Sequence, residues 1–333
     1  MTLVVGMMTH GESFIMTRLR NLLPSVAIIV LVFIWHNALL LAAPPALASG
    51  KPGPFAVETL SEDWHDSARE RDVPVKIYFP KTGAGPFPVI IFSHGLGGSR
   101  DGYEYLGRQW ASYGYVSVHV QHKGSDVDVW RGKANPAAAL RDSLLDLRNA
   151  TNRPLDVRFA IDRVEKINRD ETPLRGRLDM ARVGMAGHSF GALTTLAVIG
   201  EVFPGPRGVE LALPDQRVKA AVAMSSPVIG DKKKLDQAFA KIKTPCLHMT
   251  GTIDDSPVGE TKAKDRRLPF DHIGGADQYL LIFNGGDHMV FSGRGRLPGR
   301  EKDPIFQKMI RVSTTAFWDA YLKGDKRAKA YLV

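Results

Sequence analysis

A mostly parallel β-sheet covered by helices on both faces is the fold class this sequence predicts, and three observations predict it. Short apolar runs rich in β-branched residues and bounded by Pro and Gly recur along the chain. Segments with helical apolar spacing lie between them, and a Gly-rich turn joins one such run to one such segment. In sheets of this kind ligand sites lie at the C-terminal ends of the strands.

Taken in chain order, residues 73–79 and 87–92 read as strands, then 115–120, 182–186, 218–224, 246–250 and 278–283. Before the fourth of these, Val157, Ala160, Ile161, Val164 and Ile167 share one face at helical spacing. After it, residues 192–197 read as a helix. In the last helix Asp303 is the expected N-cap, with Pro304 at the first helical position. Phe306, Met309, Ile310, Ser313, Phe317, Ala320 and Tyr321 form its apolar stripe. The sequence has no internal repeat.

At 333 residues, 44% hydrophobic and 24% charged, the composition is that of a globular protein, which excludes collagen-like, disulfide-scaffold and largely disordered classes. The single cysteine, Cys246, rules out an internal disulfide and a Cys-rich metal site; at the start of a strand it is expected to pack. The net charge of +9 is scattered and accompanied by no DNA- or RNA-binding motif, so no nucleic-acid partner is expected.

Residues 1–48 have the order of a secretory signal: Arg18 and Arg20, an apolar stretch over 26–43, then Ala46-Leu47-Ala48 as a cleavage site. Met16 is an alternative start. Cleavage gives a periplasmic or secreted protein; the rival is an uncleaved membrane anchor, because the apolar stretch is just long enough to span a bilayer. Residues 48–55 read as a linker, and 49–333 as a single catalytic domain.

Gly187-His188-Ser189-Phe190-Gly191 is the one G-x-S-x-G in the chain, and it stands between a strand and a helix. That placement lifts a Ser hydroxyl out of a tight turn at a helix N-terminus, as a nucleophile requires. A serine needs a base, and His288, in Gly285-Gly286-Asp287-His288 after the strand at 278–283, has the best setting of the ten histidines. The imidazole needs a carboxylate. Asp254 is the first acid past the turn after the strand at 246–250, with Asp255 as its rival and Asp287 poorly placed. The order Ser, Asp, His is that of α/β-hydrolases. Phe92-Ser93-His94-Gly95-Leu96-Gly97-Gly98 follows an early strand, where that fold supplies half its oxyanion hole; the expected donors are the backbone N–H groups of Leu96 and Phe190.

The run 89–98, Gly114-Tyr115-Val116 with Gln121-His122, and the Ser189 motif resemble the platelet-activating-factor acetylhydrolase branch of the α/β-hydrolases and its bacterial dienelactone-hydrolase-like relatives. The resemblance extends from about residue 73 to 288 and implies a serine esterase fold with Ser189, His288, Leu96 and Phe190 in these roles. Two departures stand out. The animal enzymes take their acid after the strand following the nucleophile helix, where this chain has Met224-Ser225-Ser226-Pro227, with Asp231 farther on as a weak substitute. Dienelactone hydrolases use a Cys nucleophile where Ser189 stands.

The expected reaction is carboxylic-ester hydrolysis through an acyl-enzyme, without metal or organic cofactor, on a small-molecule, lipid or polymer ester. The alternatives are acyl transfer on the same triad and a catalytically silent binding protein. Segments 122–153, 203–217 and 255–276 are candidate walls, with Trp130 a candidate lining residue. Arg294, Arg296 and Arg300 suggest a cationic rim for an anionic ester, a lipid headgroup or an anionic surface, against the alternative of a solvated basic loop.

Overall fold

The computed structural model describes residues 49–170, 172–204, 210–293 and 301–333. The expected signal region 1–48 and the basic residues Arg294, Arg296 and Arg300 lie outside the described residues. Among the described residues no helix is long and apolar enough to cross a membrane.

The chain runs β1 (Val57–Asp66), β2 (Arg71–Pro80), β3 (Phe87–Ser93), α1 (Glu104–Ser112), β4 (Val116–Val120), α2 (Pro136–Leu145), α3 (Leu147–Ile167), β5 (Leu178–His188) and α4 (Phe190–Ile199). A short antiparallel pair, β6 (Val202–Pro204) and β7 (Glu210–Ala212), follows. Then come β8 (Val218–Met224), α5 (Leu235–Phe239), β9 (Cys246–Ile253), α6 (Leu268–His272), β10 (Gln278–Asp287), α7 (Asp303–Leu322) and α8 (Lys326–Tyr331). The main sheet has eight strands in the order β1-β2-β4-β3-β5-β8-β9-β10. β1 and β2 pair antiparallel, as do β2 and β4, and every later pairing is parallel. This is the α/β-hydrolase architecture, and all seven strands expected from the sequence are in it.

Strand alternation builds two cores. Val89 and Ile91 of β3, with Ala221 and Ala223 of β8, face one layer; Ile90 and Phe92, with Ala220, Val222 and Met224, face the other. The first layer is closed by α3, whose Val157, Ala160, Ile161, Val164 and Ile167 are all buried, and by Ala192 and Leu196 of α4. The second is closed by Leu106 and Trp110 of α1 and by α7. Trp318 of α7 is fully buried, with its ring edge-on to Trp110 at 5.9 Å. Cys246 is buried and free, as its strand position implies, and burial pushes its thiol well up from the ordinary range.

Three expectations are corrected. Lys302, not Asp303, is the N-cap of α7; Asp303 is already helical and buried. The buried face of α7 also passes through Thr314 and Trp318, whereas Met309, Ser313 and Tyr321 are only half-buried. The supposed linker is docked: Gly53 and Phe55 donate their N–H groups to Ser112, and Arg311 bonds the Gly50 carbonyl. β1 was not expected at all, since its largely exposed, charge-rich sequence lacks an apolar run.

Removing the Trp318 side chain leaves a large void between α7 and the sheet. Trp318→Ala should cost about 3–5 kcal/mol, read as a lower urea midpoint with an unchanged slope; a loss under about 1 kcal/mol would contradict this packing.

Candidate active site

Four strands deliver the predicted site residues to the C-terminal edge of the sheet. β5 leads directly into Ser189, β9 into Asp254, β10 into His288 and β3 into the loop carrying Leu96.

Ser189 has φ 55° and ψ −118°, a sparsely populated conformation that costs about 1–3 kcal/mol. Its N–H bonds the Met224 carbonyl at 2.9 Å, and its carbonyl accepts from Ala192 and Leu193 in the first turn of α4. The flanking glycines are required for space. A Cβ on Gly187 would lie 2.1 Å from the Gly191 carbonyl oxygen, and one on Gly191 would lie 1.9 Å from that of Ser93. The turn, helix and β3 are therefore in backbone contact, and only glycine fits.

The structure brings Ser189, His288 and Asp254 together. His288 Nε2 is 2.9 Å from Ser189 Oγ, and His288 Nδ1 is 2.8 Å from Asp254 Oδ1. With Nδ1–H donating to the Asp254 carboxylate, Nε2 is left to accept from the serine. Asp254 is fully buried, His288 nearly so, and Ser189 is partly exposed. Asp255 is not brought in. It points outward to the N–H of Ala263 and to Lys262, which hold its carboxyl below the usual range. Asp287 caps the turn after β10 through the N–H of Met289, and Asp231 accepts from the N–H of Lys233 in an exposed turn.

Leu96 is half-buried and Phe190 buried. Among the described residues no hydrogen bond occupies either backbone N–H, while the neighbouring N–H of Gly97 is taken by the Ser125 carbonyl. Trp130 does not stand in open solvent: its Nε1–H donates to the Gly97 carbonyl at 2.9 Å. Leu140 of α2 packs beside it at Gly97. The segment 122–153 thus backs the loop that carries Leu96. An open depression of about 570 Å³ along this segment is lined by Lys123, Asp126, Asp128, Asp142, Asp146 and Asn149, and none of Ser189, Asp254 and His288 lines it.

Sequence reasoning missed several polar side chains that hold the site. Ser225, with φ 57° at the end of β8, donates from Oγ to Asp254 Oδ1 at 2.8 Å and lies equally close to His288 Nδ1. This is the strand end where the animal enzymes are expected to place their acid. Thr250 donates to the other oxygen of Asp254. Arg266, 2% exposed, donates from Nε to the Asp254 carbonyl at 2.6 Å and from Nη1 to the Ser225 carbonyl at 2.7 Å. Burial pulls its guanidinium down from the ordinary value, opposed by Asp254 and Asp255. His188, inside the nucleophile motif, donates from Nε2 to the His288 carbonyl at 3.0 Å and accepts from Tyr103 at 2.7 Å.

The fold that brings these residues together is the α/β-hydrolase fold. The family model "Platelet-activating factor acetylhydrolase, isoform II" matches residues 68–150, which include the Leu96 loop but not the Ser189 turn. The chain is similar to the platelet-activating factor acetylhydrolase of Cavia porcellus, 27% identical over 283 residues, covering 76% of this chain and 62% of that protein. It is also similar to that of Canis lupus familiaris, 26% identical over 235 residues, covering 62% of this chain and 48% of the relative. The chain thus spans 62% and 48% of the length of these two relatives.

Five histidines in this region, His94, His119, His122, His188 and His248, are at most 2% exposed. Burial, the largest influence on each, lowers their basicity: His122 and His248 to about 4 and His119 to about 3, with His94 and His188 also well below 6.5. The unfolded chain binds these protons more readily, so their contribution is complete above about pH 6.5 and is lost as pH falls toward the folded values. The loss is up to about 1.4 kcal/mol per pH unit for each histidine. Tm should therefore fall steeply between about pH 6.5 and 4, read by circular dichroism; a flat Tm over that range would contradict neutral burial.

Proposed function

We propose that the chain is a serine carboxylic-ester hydrolase working through an acyl-enzyme. The observation that carries this reading is the continuous chain of contacts from Ser189 Oγ through His288 to Asp254. Ser189 attacks the ester carbonyl while His288 Nε2 takes its proton; Asp254, held by Ser225, Thr250 and Arg266, fixes the imidazole and balances its charge. The Leu96 and Phe190 N–H groups receive the oxyanion. The tetrahedral intermediate collapses to acyl-Ser189 as His288 protonates the leaving alcohol, and His288 then activates water to release the acid. The matches to platelet-activating factor acetylhydrolases support the same reaction class and make a short acyl ester on a lipid the first substrate to examine. Export after cleavage near residue 48, and an anionic contact through Arg294, Arg296 and Arg300, belong to this proposal as well.

Ser189→Ala should lower kcat on a short aryl ester by several powers of ten and abolish labelling by a fluorophosphonate. Near-native turnover would overturn the nucleophile assignment.

The two neighbouring acids separate cleanly. Asp254→Asn should lower kcat by about 10⁴-fold, by analogy with loss of the triad carboxylate in other serine hydrolases, while Asp255→Asn should stay within about twofold. The reverse pattern would exchange their roles.

A further inference from the structure

Arg153 is fully buried on α3, on the same face as the core residues Val157 and Ala160. A guanidinium in such a place is tolerated only when its donors are used. Nε donates to Thr194 Oγ1 at 3.1 Å, Nη1 to Ser125 Oγ at 2.9 Å, and Nη2 to Ser93 Oγ at 3.2 Å and to the His94 carbonyl. Its Cζ lies 4.5 Å from the centre of the Phe190 ring.

These partners belong to the two walls that carry the proposed oxyanion donors. His94 stands two residues before Leu96. Thr194 Oγ1 donates in turn to the carbonyl of Phe190 at 2.9 Å, and the Ser125 carbonyl accepts the N–H of Gly97 at 2.9 Å. One planar fork therefore reaches both sides of the proposed hole.

A second buried charged group stands one helical turn on. Asp156, fully buried, bonds Arg69, Arg71 and His122, and His122 Nε2 lies 2.9 Å from Ser93 Oγ. Ser93, His122 and Asp156 repeat the Ser-His-Asp pattern at 2.9 and 3.0 Å. All three are sealed from solvent, and Ser93 Oγ already meets Arg153, so the trio forms a brace.

We propose that Arg153 is a positioning residue for the oxyanion hole: its guanidinium clamps the loop after β3 to the first turn of α4 and fixes the separation of the Leu96 and Phe190 N–H groups. This rests on the serine-hydrolase reading above. A hole of altered width loses most where negative charge develops, in the tetrahedral state, and little in ground-state binding.

The test uses the full chain with Thr194→Val, Ser125→Ala and Arg153→Lys, assayed on a short aryl acetate and titrated with an alkylboronic acid that mimics the tetrahedral state. Thr194→Val and Ser125→Ala should each lower kcat about 3–10-fold and Arg153→Lys about 30–100-fold, with KM within about threefold. Boronic-acid affinity should weaken by the same factor as kcat, at a temperature where circular dichroism shows each variant folded. If Arg153→Lys does not fold, the two single-bond variants decide. Unchanged kcat and boronate affinity in both, or a rise in KM with kcat held, would overturn the clamp. Ser189→Ala in the same assay separates the two readings. If it stays active, the hydrolase reading fails; if it is inactive while Thr194→Val and Ser125→Ala are normal, only the clamp fails.

Discussion

The site depends on one backbone contact: the first turn of α4 lies against the end of β3 so closely that Gly191 has no room for a single added carbon beside the Ser93 carbonyl. That approach accompanies the positive-φ conformation of Ser189, whose hydroxyl meets His288 Nε2. It also brings the Leu96 loop and the Phe190 N–H to the same edge. The proposed nucleophile and oxyanion donors are thus fixed by chain geometry before any side chain acts. The strain at Ser189 persists because the Met224 carbonyl and the helix turn over-determine it.

Around this contact the protein places buried charge in two compartments. On one side Arg266 ties the end of β8 to the Asp254 loop, so that carboxylate, imidazole and Ser225 share one rigid cluster. On the other, Arg153 and Asp156 occupy the layer behind the Leu96 loop. Both guanidiniums are almost wholly enclosed, and each is bonded mainly to backbone carbonyls and hydroxyls near the C-terminal edge of the sheet. A low-dielectric, fully bonded surround of this kind holds dipoles in place with little reorganisation during reaction.

Much of this was legible in the sequence. Apolar runs at 73–79 and 87–92 and the 157–167 helical face named their elements because burial on both sides of the sheet leaves a continuous apolar signature. The Ser189 turn and the His288 loop were legible because their residue types and strand-end positions have few other uses. Asp254 against Asp255 was not fully legible, since adjacent loop acids differ only in which way the turn points them. β1 escaped because an antiparallel edge strand open to solvent carries charges, here Glu58, Glu62 and Asp63. Arg153, Ser225 and Arg266 escaped because their partners are distant in sequence; the only local hint was a charged pair, Arg153 and Asp156, on the apolar face of α3.

The central claim is that an acyl group passes through Ser189. Its most direct measurement is peptide-resolved mass spectrometry of the protein quenched in acid during turnover of an aryl acetate. One acetyl group is expected, on the peptide carrying Ser189, appearing within the first turnover and decaying as substrate is exhausted. Acetyl found on another residue, or steady hydrolysis with no acylated Ser189 at any quench time, would contradict it.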